Sequence, residues 1–175
     1  MKKLLLSLLV VVFSLTQLLA QESTFKKGDK VVNLGIGLGS TLYTGIGNKM
    51  GIPPISGSLE IGIVNLLNDK ASIGVGGYLG YSSHKYYSYA VSNFIIGARG
   101  AFHYALVDKL DTYAGLILGY DIESSNINVY GYNSGSGLVS SEFIGARYYI
   151  SNSFAVMGEL GYGIAWLTLG VALKF

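Results

Sequence analysis

The stretch AWLTLGVALKF, residues 165–175, predicts a β-strand with two unlike faces. Alternation at period 2 places its large apolar residues on one face of a sheet. These residues are Leu167, Leu169, Val171, Leu173 and Phe175. The other parity is mostly small or polar and ends at Lys174. A soluble sheet would bury the apolar face under a second protein layer, but the rest of the chain offers little from which to build one. The strand therefore indicates a face that contacts lipid.

The start of the chain has the pattern of a secretory signal peptide. A pair of lysines precedes an apolar core at residues 4–12, and cleavage is expected between Ala20 and Gln21. The apolar core is too short for a membrane anchor, and no stop-transfer charges follow it. We therefore predict a signal peptide over residues 1–20, a single mature domain over residues 21–175, and secretion through the inner membrane.

Composition excludes several classes of protein. The 175-residue chain has 12 basic and 10 acidic residues, and two of the basic ones lie in the signal peptide, so the mature domain has no net charge and no basic field for nucleic acid. It has no cysteine, which excludes disulfides, a lipoprotein anchor and Cys/His metal spacing. Charged residues make up 13%, about half the usual share. After the signal peptide no apolar run approaches the roughly 18 residues of a membrane helix. Low charge without long apolar runs is typical of alternating strands that face lipid.

Eight strands are predicted from alternation bounded by turn residues. They are Val31–Leu42, Ile55–Asn65, Ala71–Ser82, Asn93–Tyr104, Leu110–Glu123, Leu138–Ile150, Phe154–Gly163 and Ala165–Phe175. The first six connections alternate between long and short, and the long ones are Thr44–Pro54, Ser83–Ser92 and Ser124–Gly137. Short turns at one end and long loops at the other favour an all-β fold, an eight-stranded antiparallel up-and-down transmembrane barrel with both chain ends in the periplasm.

The faces of the predicted strands separate charge from apolar surface. Glu60, Arg99, Arg147 and Glu159 all fall on the inward parity, together with many glycines that include Gly39. Aromatic residues near strand ends predict two interfacial girdles. The outer girdle would contain Tyr81, Phe94, Tyr120 and Tyr162, and the periplasmic one Phe102 or Tyr104, Tyr148, Phe154 and Phe175. A charge facing lipid at mid-depth would cost about 2–4 kcal/mol, so this separation supports the barrel.

The last third of the chain resembles a known family. FIGARYY (residues 143–149), SNSFA (151–155) and GELGYG (158–163) are similar to the last hairpin of small outer-membrane β-barrel proteins, and FIIGARG (94–100) is a weaker repeat of the motif. The fold resembles the OmpA/OmpX-type barrel, without the periplasmic OmpA C-terminal domain. The resemblance implies an outer-membrane location in a Gram-negative envelope, and no specific activity. It also implies insertion by the barrel-assembly machinery with periplasmic chaperones, guided by a terminal strand ending in Phe. Leu169, Val171, Leu173 and Phe175 would carry this assembly signal.

The inward charges are predicted to form a structural network. A three-residue turn at Ser151–Ser153 would pair Arg147 with Met157 and make Glu159 a diagonal neighbour of Arg147, about 7–8 Å away. An eight-stranded barrel is just wide enough for side chains to fill it. Glu60, Arg99, Arg147 and Glu159 should therefore pair and plug the lumen, giving a protein with a structural or surface-interaction role. The alternative is a narrow, porin-like channel lined by the same charges.

Two loops suggest an interaction surface. The connections Ser83–Ser92 and Ser124–Gly137 are rich in Tyr, Ser, Asn and Gly, and tyrosine gives large contact area at low entropic cost. The candidate contact residues are Tyr86, Tyr87, Tyr89, Tyr130 and Tyr132. They would bind an unknown extracellular ligand, or they merely suit the headgroup region.

No catalytic, cofactor-binding or metal site is predicted, and the protein is expected to be a monomer in outer-membrane lipid. His84 and His103 would lie at opposite rims, and the loop around His84 has serines but no carboxylate. A solvated loop histidine is the simpler interpretation of His84. A lipid-modifying enzyme is therefore the least favoured function.

Overall fold

The computed structural model describes residues 24–42, 47–86, 89–126 and 135–175, without the side chains of Asn48 and Tyr86. The predicted signal peptide lies outside these ranges. The described chain forms eight strands. They are β1 (Lys30–Ser40), β2 (Asn48–Leu66), β3 (Ala71–Tyr86), β4 (Tyr89–Val107), β5 (Leu110–Ser125), β6 (Gly137–Tyr149), β7 (Phe154–Tyr162) and β8 (Ala165–Lys174). No helix within the described ranges is long and apolar enough to cross a membrane.

The strands form a closed antiparallel barrel in chain order, and β8 pairs with β1 to complete it. The closing ladder runs from Val31 opposite Lys174 to Ser40 opposite Ala165. Closure satisfies the backbone groups that an open sheet would leave at its edges. The prediction of an eight-stranded antiparallel barrel is confirmed.

The outer surface of the barrel is apolar. Its exposed side chains include Leu34, Ile36, Leu38, Leu59, Ile61, Val75, Leu79, Ile96, Leu116, Leu118, Ile144, Leu160, Leu169 and Leu173. The parity prediction fails at one place, because Gly39 has a left-handed φ of 72° that breaks the alternation. Beyond it Ser40 and Ala165 are buried, while Gly39 and Trp166 are exposed.

Aromatic side chains lie on the outer surface towards both ends of the barrel. The end that carries Lys30 and Phe175 is called the terminal rim, and the opposite end is called the loop rim. Near the loop rim the exposed aromatics are Phe94, Tyr120, Tyr162 and Trp166, and near the terminal rim they include Tyr148 and Phe175. The rings of Tyr162 and Trp166 meet edge to face, with centroids 5.5 Å apart.

One side of the barrel is much taller than the other. β2 and β4 have 19 residues each and β3 and β5 have 16, whereas β7 has 9 and β8 has 10. The predicted loops Thr44–Pro54 and Ser83–Ser92 were therefore largely wrong, since most of their described residues lie in strands. Pro53 and Pro54 fit into β2 because the pairing with β3 shifts register between Ile52 and Ile55, where a missing N–H is tolerated. The extended wall is the part of β2–β5 that lies above the level of Tyr81, on the side of the loop rim. Ile55, Phe94 and Ile122 are at this level on the other three strands.

Candidate functional site: an ion cluster inside the barrel

Six ionisable side chains meet inside the barrel, and we call them the lumen cluster. They are Glu60 on β2, Arg99 and His103 on β4, Asp111 on β5, Arg147 on β6 and Glu159 on β7. Each has the inward parity of its strand, so the alternation of the strands points all six side chains towards the barrel axis. All are buried except Glu159, whose side chain is 13% exposed.

Arg147 lies at the centre of this cluster. Its Nη2 is 2.5 Å from Glu60 Oε2, and its Nη1 is 3.1 Å from Asp111 Oδ2. Asp111 is directly opposite Arg147 in the β5–β6 ladder, whereas Glu60 lies across the barrel on β2. The guanidinium also lies over the ring of Tyr113, with Cζ 4.6 Å from its centroid. Arg147 therefore joins opposite walls of the barrel.

Arg99 and Glu159 form the second ion pair. Arg99 Nη2 and Nη1 donate to the two carboxylate oxygens of Glu159 at 2.6 and 3.3 Å, and Tyr113 Oη donates to Glu159 Oε1 at 2.8 Å. The predicted pairing of Arg147 with Met157 is the one observed. Glu159 nevertheless binds Arg99, and not its diagonal neighbour Arg147, because Arg147 turns towards Glu60 and Asp111.

His103 connects the two carboxylates that Arg147 binds. Its Nδ1 is 2.9 Å from Asp111 Oδ1, and its Nε2 hydrogen-bonds Glu60 Oε1. An ionised carboxylate only accepts hydrogen bonds, so both contacts require a proton on each ring nitrogen while the two acids are ionised. In that state three cations face three anions and the cluster is neutral. Charge balance and hydrogen bonding are how buried charges are tolerated in a protein interior. Among the described residues, only Nε of Arg99 and Nε of Arg147 in this cluster are buried without a hydrogen-bond partner.

The segment before β1 closes the terminal rim beneath the lumen cluster. Phe25 is completely buried, and its ring centroid is 4.3 Å from that of His103. Ser72 Oγ donates to the Phe25 carbonyl at 2.6 Å, and Lys174 Nζ donates to the Thr24 carbonyl at 2.9 Å. Gly28 N donates to the Gly62 carbonyl at 2.9 Å. Residues 24–29 thus form a floor, with Phe25 as its apolar contact.

An apolar layer covers the lumen cluster on the side of the loop rim. It consists of Tyr78, Ile95, Ile117, Phe143 and Ile164, all buried. Phe143 connects the two levels, since Arg99 Cζ is 3.8 Å from its ring centroid. A cavity of about 140 Å³ lies within this layer beside Ile117 and Ile164. Beyond it, Asn93 Nδ2 donates to Asp121 Oδ2 at 2.7 Å.

The sequence analysis did not predict that three of these interior residues take part in the lumen cluster or its floor. His103 lies four residues after Arg99 and shares its parity, so the alternation contained the signal. Asp111 required the register of β5 on β6, which places it opposite Arg147. Phe25 precedes the strands and has no periodic signal.

The other predicted residues lie outside the lumen. Leu169 and Leu173 face outwards on β8, Phe175 is exposed directly after it, and Lys30 N donates to the Phe175 carbonyl at 3.2 Å. Tyr89 is exposed at the start of β4, and Tyr86 ends β3. Tyr87, Tyr130 and Tyr132 lie outside the described residues.

The two histidines lie far apart, and His84 is not a solvated loop residue. It is on β3 and only 3% exposed, because the strand continues past the predicted loop. His103 pairs with Ser72, twelve residues before His84 on the same strand, so their levels differ by up to about 40 Å of strand. Among the described residues no group of three or more His, Cys, Asp or Glu is placed to hold a metal ion.

Comparison with known proteins finds similarity in structure only. No family model and no curated protein matches the sequence. The outer-membrane protein AlkL superposes with a TM-score of 0.55 at 14% identity, over 89% of this chain and 94% of that one. OprG of Pseudomonas aeruginosa superposes with a TM-score of 0.52 at 11% identity, over 88% of this chain and 99% of that one. The N-terminal barrel domain of OprF from the same organism superposes with a TM-score of 0.50 at 18% identity, over 86% of this chain and 98% of that one. The chain therefore has the fold of the small eight-stranded β-barrels of bacterial outer membranes.

Proposed function

We propose that this protein is an integral outer-membrane barrel whose lumen is closed by its own side chains and whose role is structural or surface-interactive, not enzymatic. The observation that carries the proposal is the stack of three buried layers along the axis. Residues 24–29 form the floor, the lumen cluster the middle, and the apolar layer around Ile117 the top.

Membrane insertion is supported by the outer surface. Side chains such as Leu118 and Ile144 are 59% and 60% exposed, and burying this belt in lipid is favourable by about 25 cal/mol per Å² of apolar area. A transmembrane β-strand needs about 9–11 residues, which β7 and β8 supply. In this arrangement the terminal rim faces the periplasm and the loop rim faces the exterior. The signal peptide, chaperones and barrel-assembly machinery would bring the chain there as a monomer.

The closed lumen follows from the energetics of the lumen cluster. A continuous water path along the axis would have to pass between Arg147, Glu60 and Asp111, which already bind one another. Opening it would break charge-assisted hydrogen bonds, each worth about 1.5–3 kcal/mol. The narrow-channel alternative therefore requires a rearrangement of these residues.

The surface role is supported by the extended wall. β2–β5 exceed a membrane-spanning length by several residues, so paired sheet continues about 20 Å along the strands beyond the lipid. A hydrogen-bonded wall is a rigid platform, and Tyr89 is exposed on it. We propose that this wall, with the neighbouring tyrosines, binds an extracellular ligand.

Planar-bilayer recording tests the closed lumen. The wild-type protein should show no sustained openings, and the variant Glu60→Ser/Arg147→Ser should open more often than the wild type, because it removes the ion pair that joins opposite walls of the barrel without changing the net charge. The control Asp69→Asn/Lys70→Gln removes one charge of each sign at the turn between β2 and β3 on the terminal rim, and it should remain closed. Discrete, sustained openings of the wild type would refute the closed lumen.

The location of the protein in the outer membrane is checked by fractionation and by the gel shift that folded barrels show on heating.

A further inference from the structure

We infer that the outer wall formed by β8, β1, β2 and β3 is a binding site for one lipid of the outer leaflet whose phosphate headgroup has a net negative charge. The acyl chain would lie in a groove on this wall, and the phosphate would lie between Lys49 and Lys85. The inference rests on the membrane insertion proposed above, and it adds a specific ligand class and named residues.

The groove is a depression of about 630 Å³ in an otherwise convex wall. Its lining residues include Leu34, Ile36, Ile55, Gly57 and Leu79. Gly57 has the outward parity and lies between Leu34 and Leu79 in the two ladders. Because it has no side chain, the groove deepens there. The volume is within the roughly 300–1,000 Å³ of typical ligand sites.

A pair of lysines lies above the groove on two of the same strands. Lys49 and Lys85 are directly opposite each other in the β2–β3 ladder, and both are exposed. Like charges in this position repel each other. Among the described residues neither lysine forms an ion pair with a carboxylate. An anion bound between them would relieve this repulsion.

The spacing of the groove and the lysines fits an amphiphile. Tyr81 lines the upper end of the groove, and Lys85 follows it by four residues on β3, or about 13 Å along the strand. Strand tilt and the flexible lysine side chains shorten this separation. Tyr81 and Phe94 at the upper end of the groove have the position expected of interfacial aromatic residues, and the two lysines lie beyond them on the headgroup side. This charge and polarity pattern complements a lipid phosphate with its own chain and does not require a protein partner.

Native mass spectrometry of the folded protein in detergent can test the site, with phosphatidylglycerol and phosphatidylcholine of identical chains in equal amounts. The wild type should retain one phosphatidylglycerol in preference to phosphatidylcholine, by about 30-fold if each lysine contributes as it does near an anionic surface. Lys49→Ala/Lys85→Ala should abolish this preference. Lys27→Ala/Lys30→Ala removes two exposed lysines at the terminal rim and should leave it unchanged.

The groove has its own variant pair. Gly57→Ile should reduce retention of both lipids at least tenfold, because a Cβ at this position would be in ordinary contact with Leu34 Cδ2 at 3.5 Å and the rest of the side chain would occupy the groove. Gly77→Ile is the control, since a Cβ there meets nothing within 4 Å and Gly77 does not line the groove.

Three outcomes would overturn the site. They are an unchanged preference in the lysine variant, unchanged retention in Gly57→Ile, and displacement of the lipid by millimolar inorganic phosphate, which would indicate an anion site without a lipid. A protein that does not show the heat-dependent gel shift would count against membrane insertion instead, so the two failures are distinguishable.

Discussion

Removing the guanidinium of Arg147 should destabilise the barrel more than any loss of a surface charge. Arg147 is completely buried and neutralises Glu60 at 2.5 Å and Asp111 at 3.1 Å. In Arg147→Met, Asp111 keeps His103, and Glu60 keeps His103 and Arg99 Nε at 3.5 Å. The cluster then holds one uncompensated negative charge. Breaking a buried ion pair from one side costs about 3–5 kcal/mol, and we expect that loss in the free energy of unfolding.

Urea unfolding in phospholipid vesicles measures this loss. Trp166 is the single tryptophan, and its side chain is 51% exposed on the outer surface, so its emission should shift as it leaves lipid for water. Lys174→Met is the control. Its side chain is 25% exposed, Nζ lies 3.6 Å from Asp29 Oδ2, and Nζ also donates to the Thr24 carbonyl at 2.9 Å, so the loss should be about 1–2 kcal/mol.

A double-mutant cycle separates the ion pair from other effects of the substitution. Glu60→Gln removes one of the two carboxylates that Arg147 neutralises and so restores the charge balance of the cluster, and the double variant should therefore lose less stability than the sum of the single variants. Additive losses, or a cost for Arg147→Met within 1 kcal/mol of the Lys174→Met control, would refute the view that these charges hold the lumen together.

Three further variants test the parts around the lumen cluster. Phe25→Ala should lower the free energy of unfolding by about 3 kcal/mol and speed proteolysis before β1, because it removes the buried ring of the floor. A protease pattern like that of the wild type would show that this ring does not hold the floor in place. Gly74→Ala should cost about 1–3 kcal/mol because its Cβ would collide with Glu60 Oε1, whereas the Cβ of Gly77→Ala would meet nothing within 4 Å. Equal unfolding midpoints for these two variants would contradict the crowding at Gly74. Phe175→Ala should lower outer-membrane levels in cells but change the stability of refolded protein little, since the side chain is 70% exposed; normal levels would argue against an assembly signal.

Alternation predicted the two faces of the barrel wall for two reasons. The outer face must avoid charge, and the lumen is too narrow for large apolar residues to line the inner face throughout. The turn at Ser151–Ser153 predicted the Arg147–Met157 register because short loops fix pairing. The partner of Glu159 depended on which strands face each other across the axis, and that follows from the stagger of the whole barrel. The ends of β2, β3 and β4 were mispredicted because turn-forming residues were accommodated within continuing ladders.

The hydrogen bond between Lys174 Nζ and the Thr24 carbonyl, 2.9 Å long, makes the two ends of the described chain neighbours. Within the described residues, the segment before β1 therefore begins beside the end of β8, and the barrel itself does not distinguish a first strand from a last one. A short linker joining these ends, with new termini opened at Ser151–Ser153, would give a circular permutant with the same ladders. Such a permutant would distinguish the residues that the stability of the barrel requires from the residues that a cell recognises in the final strand during assembly.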